Sequence, residues 1–206
     1  MNLLSLILST ILQLILFCAL PFLYWRSIKG RKRGFFEWVG IKPIQTSSQQ
    51  GKIEMIIAIA SAVIYLSYFG VFILPKLVED SSVLAGSQFT ELSLISFIGI
   101  LIYAFIQTGL SEEIFFRGFI GKFMMKRLGY VRGNIIQASL FGLTHAILFF
   151  GKISLFSLLI VTLVTGGIGY FMGYINEKKA GGSILPSWIT HGIANVIGTV
   201  LLIVLM

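Results

Sequence analysis

The chain has 206 residues, of which 56% are hydrophobic and 12% are charged. Soluble globular domains carry roughly 25% charged residues, so this composition excludes an ordinary soluble protein. The net charge of +8 is typical of nucleic-acid binding in a soluble protein, but here the basic residues flank apolar segments, and we expect no nucleic-acid partner. The single cysteine, Cys18, excludes an internal disulfide.

Long stretches without a formal charge follow one another along the chain. They cover residues 2–25, 55–75, 92–111, 134–151, 153–176 and 183–206. A helix needs about 20 apolar residues to cross a lipid bilayer, and each stretch is close to that length. The sequence therefore predicts an all-α, polytopic membrane bundle with about six transmembrane helices. We expect residues 1–90 to form two N-terminal helices with a basic loop, and residues 91–206 to form a catalytic core.

The basic residues are distributed unequally between the loops. Of the 16 Lys and Arg residues, 14 follow the first, third and fifth stretches, and two, Lys76 and Lys152, lie on the other side. Cytoplasmic loops of membrane proteins are enriched in Lys and Arg. This asymmetry predicts that the N-terminus lies outside and that the loops 26–54, 112–133 and 177–182 lie in the cytoplasm. In a prokaryote the chain would be a multi-pass protein of the plasma membrane.

The fourth and fifth stretches are separated only by Gly151 and Lys152. So short a connection leaves room for a tight turn, which predicts an antiparallel helical hairpin. The fifth stretch contains Gly169-x-x-x-Gly173, a spacing of small residues that permits close helix packing in membranes.

Four ionisable residues lie in apolar sequence, where charge is costly and is by default a sign of function. Both histidines, His145 and His191, lie inside predicted helices, and Glu112 and Glu113 end the third stretch. Two arrangements of the acids are open. The helix either continues past them and places Glu112 below the membrane surface, or it breaks at Gly109 and is followed by an interfacial helix over 112–128.

The polar residues recur at helical spacing. Glu113 and Arg117, Phe141 and His145, and His191 and Asn195 are each four residues apart, so the members of each pair share one face of a helix. Taken singly, such pairs are also typical of surface salt bridges or of histidines that only pack. Because all of them lie in apolar sequence, we expect the three polar faces to converge on one site.

In this order, Glu112-Glu113-x-x-x-Arg117, Phe141-x-x-x-His145 and His191-x-x-x-Asn195 resemble the three motifs of the CAAX-protease and bacteriocin-processing (CPBP, Abi) family of intramembrane endopeptidases. The resemblance covers roughly residues 90–200. It implies that Glu112 and His145 activate water, and that His191 and Asn195 donate hydrogen bonds to the oxyanion. Glu113, Arg117 and Phe141 would support them. It further implies catalysis without a cofactor, on a peptide or protein substrate that is lipidated or associated with the membrane.

Several alternatives accompany this interpretation. Glu112, His145 and His191 are also the ligand types of several zinc hydrolases, so a zinc site is the mechanistic alternative. Other functions open to such a chain are a non-catalytic immunity or partner-binding protein and a proton-coupled carrier. The small size favours peptide or bacteriocin maturation or immunity over CAAX-type C-terminal processing. Because Glu112 follows the third stretch at its inner end, we expect the site to open toward the cytoplasm.

Overall fold

A computed structural model of the protein describes residues 2–30, 32–46, 48–78, 83–84 and 86–205. Within these residues the chain is helical and contains no strand, which confirms the predicted all-α bundle. The described residues form seven helices, α1 (Leu3–Ser27), α2 (Phe35–Val39), α3 (Gln49–Leu77), α4 (Leu94–Leu128), α5 (Tyr130–Phe149), α6 (Leu155–Lys179) and α7 (Leu185–Leu205).

Five of these helices, α1, α3, α4, α6 and α7, are long and apolar enough to cross a membrane. The fourth predicted stretch forms α5, which is 20 residues long but is not among the five. Its polar side chains include Asn134 and Gln137, both of which are fully buried. These residues lower the mean hydropathy of α5 relative to the other long helices. The bundle presents exposed leucines and isoleucines along most of its helices, as expected where the solvent is lipid. The chain is a multi-pass membrane protein.

Short polar residues mark where the apolar helices begin. The Asn2 side chain accepts a hydrogen bond from the Leu4 amide at 3.0 Å, and Ser48 Oγ accepts one from the Gly51 amide at 3.0 Å. Ser154 caps α6 in the same way. Each cap satisfies a backbone N–H group that would otherwise lack a partner at a helix N-terminus.

The predicted hairpin of α5 and α6 is confirmed. The two helices are joined through a turn at Gly151, whose φ of +76° favours glycine. Gln137 Nε2 donates to the Gly169 carbonyl at 2.9 Å. The backbones approach so closely that a Cβ added to Gly142 would lie 3.0 Å from the Gly166 nitrogen. Small residues thus allow α5 to sit directly against α6.

Helices α1 and α4 run in the same direction. Gln107 Nε2 donates to Ser9 Oγ at 3.2 Å, and Gln13 Nε2 donates to Ser111 Oγ at 3.2 Å. Both pairs are separated by 98 residues, and a constant separation is what parallel helices give. The first and third crossings of an alternating bundle have this relation. The predicted division of the chain into two N-terminal helices, residues 1–90, and a catalytic core, residues 91–206, stays a prediction.

The chain after α1 folds back and closes one end of the bundle. Val39 of α2 forms a buried cluster with Ile114 of α4 and with Ile184, which precedes α7. The Ile184 amide donates to the Gly40 carbonyl at 2.9 Å, so the turn that follows α2 is fixed to the start of α7. The end of the bundle that carries the basic loops is therefore packed with apolar side chains.

Candidate functional site

The two acids lie in the middle of a continuous α4, so the alternative with a break at Gly109 and a separate interfacial helix is wrong. The helix is wound more widely over Ile102–Leu110 and again over Glu113–Gly121, both of which are π-helical. Such turns are rare in proteins and occur frequently at functional sites. They flank Glu112 on both sides.

Glu113 is fully buried and has three polar partners. Its carboxylate lies 3.2 Å from Arg117 Nη1 and 3.3 Å from His191 Nδ1, and it accepts a hydrogen bond from the Ser187 hydroxyl. A buried carboxylate is tolerated when it is paired and hydrogen-bonded. Both carboxylate oxygens of Glu113 thus have polar partners.

Arg117 connects the first motif with the second. Its Cζ atom lies 3.9 Å from the centre of the Phe141 ring, and its Nη2 lies 3.3 Å from the sulfur of Met172. A guanidinium over an aromatic face is stabilised by the negative face of the ring, and more strongly when water is excluded. Phe141 therefore supports the ion pair of Glu113 and Arg117.

His191 lies between the two acids. Its Nδ1 is 3.3 Å from Glu113 Oε1, and its Nε2 is 3.9 Å from Glu112 Oε2. An ionised carboxylate can only accept a hydrogen bond. We therefore place a proton on Nδ1, which faces Glu113. The second nitrogen, Nε2, is turned toward Glu112.

Glu112 is in a different environment from Glu113. Its Oε2 atom is buried and has no hydrogen-bond partner among the residues that the structure describes. The residue lines a cavity of about 660 Å³, which His145, His191 and Asn195 also line. The structure thus brings the four predicted catalytic residues to one cavity, and it leaves one carboxylate oxygen there without a partner.

His145 is held by its own helix. Its Nδ1 lies 2.9 Å from the Phe141 carbonyl oxygen, and the two rings are 4.4 Å apart. Because a carbonyl only accepts, Nδ1 carries the proton, and Nε2 of the neutral ring has a lone pair. His145 also lines a second cavity of about 170 Å³, together with His191 and Asn195.

Asn195 is oriented by a residue that the motifs do not include. Its Nδ2 donates to Thr108 Oγ1 at 2.9 Å, and the Thr108 hydroxyl donates to the Tyr103 carbonyl at 3.0 Å. A carboxamide nitrogen has two hydrogens, so one N–H of Asn195 is left for another acceptor.

Sequence reasoning missed three residues that hold the site together. Asn176 Nδ2 donates to Ser187 Oγ at 2.7 Å, and Ser187 in turn donates to Glu113. Thr108 performs the same function for Asn195. Ser187 lies four residues before His191, and Thr108 lies four before Glu112, so helical spacing was a usable signal for both. Asn176 does not lie at helical spacing from any residue of the three motifs.

The zinc alternative names Glu112, His145 and His191 as donors. Among the residues that the structure describes, no group of three His, Cys, Asp or Glu side chains has a suitable arrangement. Both nitrogens of His191 face carboxyl groups. Glu112, His145 and His191 share a cavity without converging on one point.

The lining of the larger cavity includes residues from the side opposite the basic loops. Val83 and Lys152 line it, and charge distribution predicts that both lie outside. Leu12 and Leu16 of α1 and Leu148 of α5 also line it and are 68%, 69% and 63% exposed. The opening thus faces lipid between α1 and α5. This lining gives no support to the predicted cytoplasmic opening.

A family model described as type II CAAX prenyl endopeptidase Rce1-like matches residues 94–197. The matched range is half of the chain. It begins at the start of α4, ends within α7 and includes the three motifs. No curated protein and no solved structure gives a significant match.

Proposed function

The chain belongs to the Rce1-like family of type II CAAX prenyl endopeptidases, and from this premise we propose that it is an intramembrane endopeptidase in which Glu112 activates water. The observation that carries the proposal is the unpartnered Oε2 atom of Glu112 in a cavity shared with His145, His191 and Asn195. Every position of the three family motifs is filled.

In the proposed reaction, Glu112 is the general base. A water in the cavity gives a proton to Glu112 and attacks the carbonyl carbon of the substrate. His145, whose Nε2 has a free lone pair, orients this water by accepting its other hydrogen. The C–N bond then breaks, and the proton returns from Glu112 to the leaving amine.

Glu113 has a different task in this scheme. Its bonds to Arg117, Ser187 and His191 occupy its oxygens. We assign it the role of holding the His191 ring, in the way that a buried carboxylate orients a histidine in other hydrolases. The two adjacent acids therefore differ in function because they differ in partners.

The negative charge that develops on the substrate oxygen needs hydrogen-bond donors. Asn195 has a free N–H, and Thr108 fixes the direction of its amide. His191 would add a second donor when Nε2 is protonated. Donors that are already oriented toward a developing oxyanion stabilise the transition state more than the ground state.

We further propose that the enzyme is independent of metal. The support is that His191 directs both nitrogens to carboxyl groups and that Glu112, His145 and His191 do not converge. We derive no step through a metal ion.

The proposed substrate is a peptide or protein segment that reaches the site through the bilayer. The support is the lipid-facing opening between α1 and α5. Peptide or bacteriocin maturation or immunity is the first candidate role, and processing of prenylated C-termini, which the family description names, is the second. In a prokaryote the protein would lie in the plasma membrane, with its basic loops in the cytoplasm.

The experiment uses the full chain in liposomes and two fluorescence-quenched peptides. One peptide carries a farnesylated cysteine four residues from its end, and the other is apolar and unmodified. Wild type should cleave at least one, and Glu112→Gln should lose a factor of about 10² or more. Glu91→Gln, an exposed acid outside the cavity, is the matched control and should retain full activity.

Glu112→Gln turnover within a few-fold of wild type would remove Glu112 from the role of base. If wild type cleaves neither peptide, proton flux into the same liposomes separates a carrier from a non-catalytic binding protein.

A further inference from the structure

Helix α1 carries polar residues on one face of an otherwise apolar helix. Most of the helix is exposed and apolar, yet Ser9 and Gln13 lie one turn apart on one face. A glutamine in the middle of a crossing helix is costly, and such residues are usually retained for function. Both line the 660 Å³ cavity that contains Glu112. They also lie outside the range 94–197 that the family model matches.

A second glutamine lies opposite them on α4. Gln107 donates through Nε2 to Ser9 and also lines the cavity. Its carbonyl oxygen, Oε1, is buried, and within the described part of the chain it has no hydrogen-bond partner. Buried polar atoms are nearly always satisfied, and one that lines a cavity is available to a ligand N–H group.

The two carboxamides are close to the proposed base. Gln13 is bonded to Ser111, the residue directly before Glu112, and so lies at the level of the acid. Gln107 is five residues before Glu112, or about 7 Å along a helix that rises about 1.5 Å per residue. An extended peptide advances about 3.3 Å per residue, so this interval corresponds to about two substrate residues.

An extended peptide in hydrocarbon needs partners for its backbone. No water is available there to bind its N–H and C=O groups, and each group without a partner is costly. A carboxamide both donates and accepts, so it can bind a peptide unit as a neighbouring strand does. Leu12 and Leu16, on either side of Gln13, would contact apolar side chains of the same segment.

We propose that α1 forms one wall of the substrate-binding site, and that Gln13 and Gln107 bind the backbone of an extended, apolar peptide segment within about two residues of the scissile bond. The proposal rests on the proposed function, since the segment is the substrate of Glu112. It assigns a binding role to a helix outside the matched family range.

The kinetic test compares Gln13→Met and Gln107→Met with wild type, using the full chain in liposomes and the apolar quenched peptide. Methionine preserves length and removes the hydrogen-bonding groups. KM should rise about 3- to 10-fold for each variant, the effect of one lost hydrogen bond. The turnover number should stay within about twofold, because these bonds form in the ground state and persist in the transition state.

Gln50→Met is the matched control, since Gln50 is exposed at the start of α3 and bonds only weakly to Glu54. Its KM should equal that of wild type. Thermal denaturation identifies variants that fail to fold, and those are replaced by Gln→Leu. An unchanged KM in folded variants, or a lower turnover number at unchanged KM, would overturn the proposal.

A second measurement does not depend on cleavage. In the full-length Glu112→Gln protein, Leu16 is replaced by p-benzoylphenylalanine and irradiated with the labelled apolar peptide. We expect an adduct that unlabelled peptide suppresses, and none from Ile11, which is exposed on α1 but does not line the cavity. Equal adducts at both positions, or none at Leu16, would contradict a wall formed by α1. An adduct at Leu16 without cleavage by wild type would refute the catalytic function and leave the binding site.

Discussion

The Nδ1 atom of His191 lies 3.3 Å from the buried Oε1 atom of Glu113, so the third motif is bound directly to the first. The bond makes the orientation of the imidazole depend on the position of the carboxylate. Ser187, on the same helix as His191, donates to the other oxygen of Glu113. The ring and the acid are thus held from two sides.

Ser187→Ala should lower the turnover number about tenfold and leave KM near the wild-type value. The substitution removes a hydrogen bond to a charged group, which is typically worth about 1.5–3 kcal/mol, and Glu113 would then hold His191 less firmly. Steady-state kinetics on the reconstituted protein measure the effect. Ser67→Ala is the control, because Ser67 is a buried serine whose hydroxyl has no hydrogen-bond partner among the described residues. Equal losses in both variants would indicate a role in packing only.

Asn195→Ala should reduce turnover about 10²- to 10³-fold, with a small effect on affinity, as removal of one oxyanion donor does. Asn195→Asp should be at least as harmful, because its negative charge would face the developing oxyanion. If the amide only packs helices, its loss should cost about 0.6 kcal/mol of stability and leave turnover intact. Turnover, KM and thermal stability measured on one purified sample decide between these outcomes.

Chelators should not reduce activity. Treatment with EDTA and phenanthroline removes divalent ions, and water that is activated by Glu112 and His145 has no need of a cation to lower its pKa. The measurement is the residual initial rate after extensive dialysis. Loss of the rate and its recovery on addition of zinc would make His145 and His191 ligands.

Orientation can be measured with single cysteines in a Cys18→Ser background. Lys32→Cys should react with a membrane-impermeant maleimide only from the cytoplasmic side, and Lys152→Cys only from outside, as the 14 to 2 asymmetry requires. Whole cells and inverted vesicles give the two readings. Because Lys152 lines the cavity, labelling of this position from inside alone would mean that the site faces the cytoplasm.

Gly142→Ala should destabilise the protein by about 1–3 kcal/mol, the usual cost of adding atoms to a packed contact. The new Cβ would overlap the Thr162 carbonyl and lie 3.0 Å from the Gly166 nitrogen. Gly167→Ala is the control, since no atom of the residues that the structure describes lies within 4 Å of its added Cβ. Thermal denaturation in detergent should show a lower midpoint only for the first variant.

Much of this architecture could be predicted from local sequence. Absence of charge located the helices, the short connection at Gly151 required a hairpin, and helical spacing placed Glu113 with Arg117. The residues that hold the site were harder to recognise. A hydroxyl in a membrane helix commonly bonds to its own backbone, as Thr190 does with the Pro186 carbonyl, so Ser187 and Thr108 do not stand out by type.

Relations between distant segments also escaped prediction. The closure of one end of the bundle depends on the packing of Val39 against Ile114 and Ile184, which are far apart in sequence. The part played by Gln13 depends on the register of α1 against α4. No periodicity within either helix encodes these contacts.

Exposed leucines of α1 and α5 are part of the lining of the larger cavity, which is the side that faces the bilayer. For an endopeptidase this has a kinetic consequence, because a substrate that arrives from the bilayer along this side leaves its fragments in the same bilayer. A fragment that keeps its lipid or its membrane helix stays near this side and competes with the next molecule. Departure of the anchored product, rather than bond cleavage, would then set the pace of the cycle.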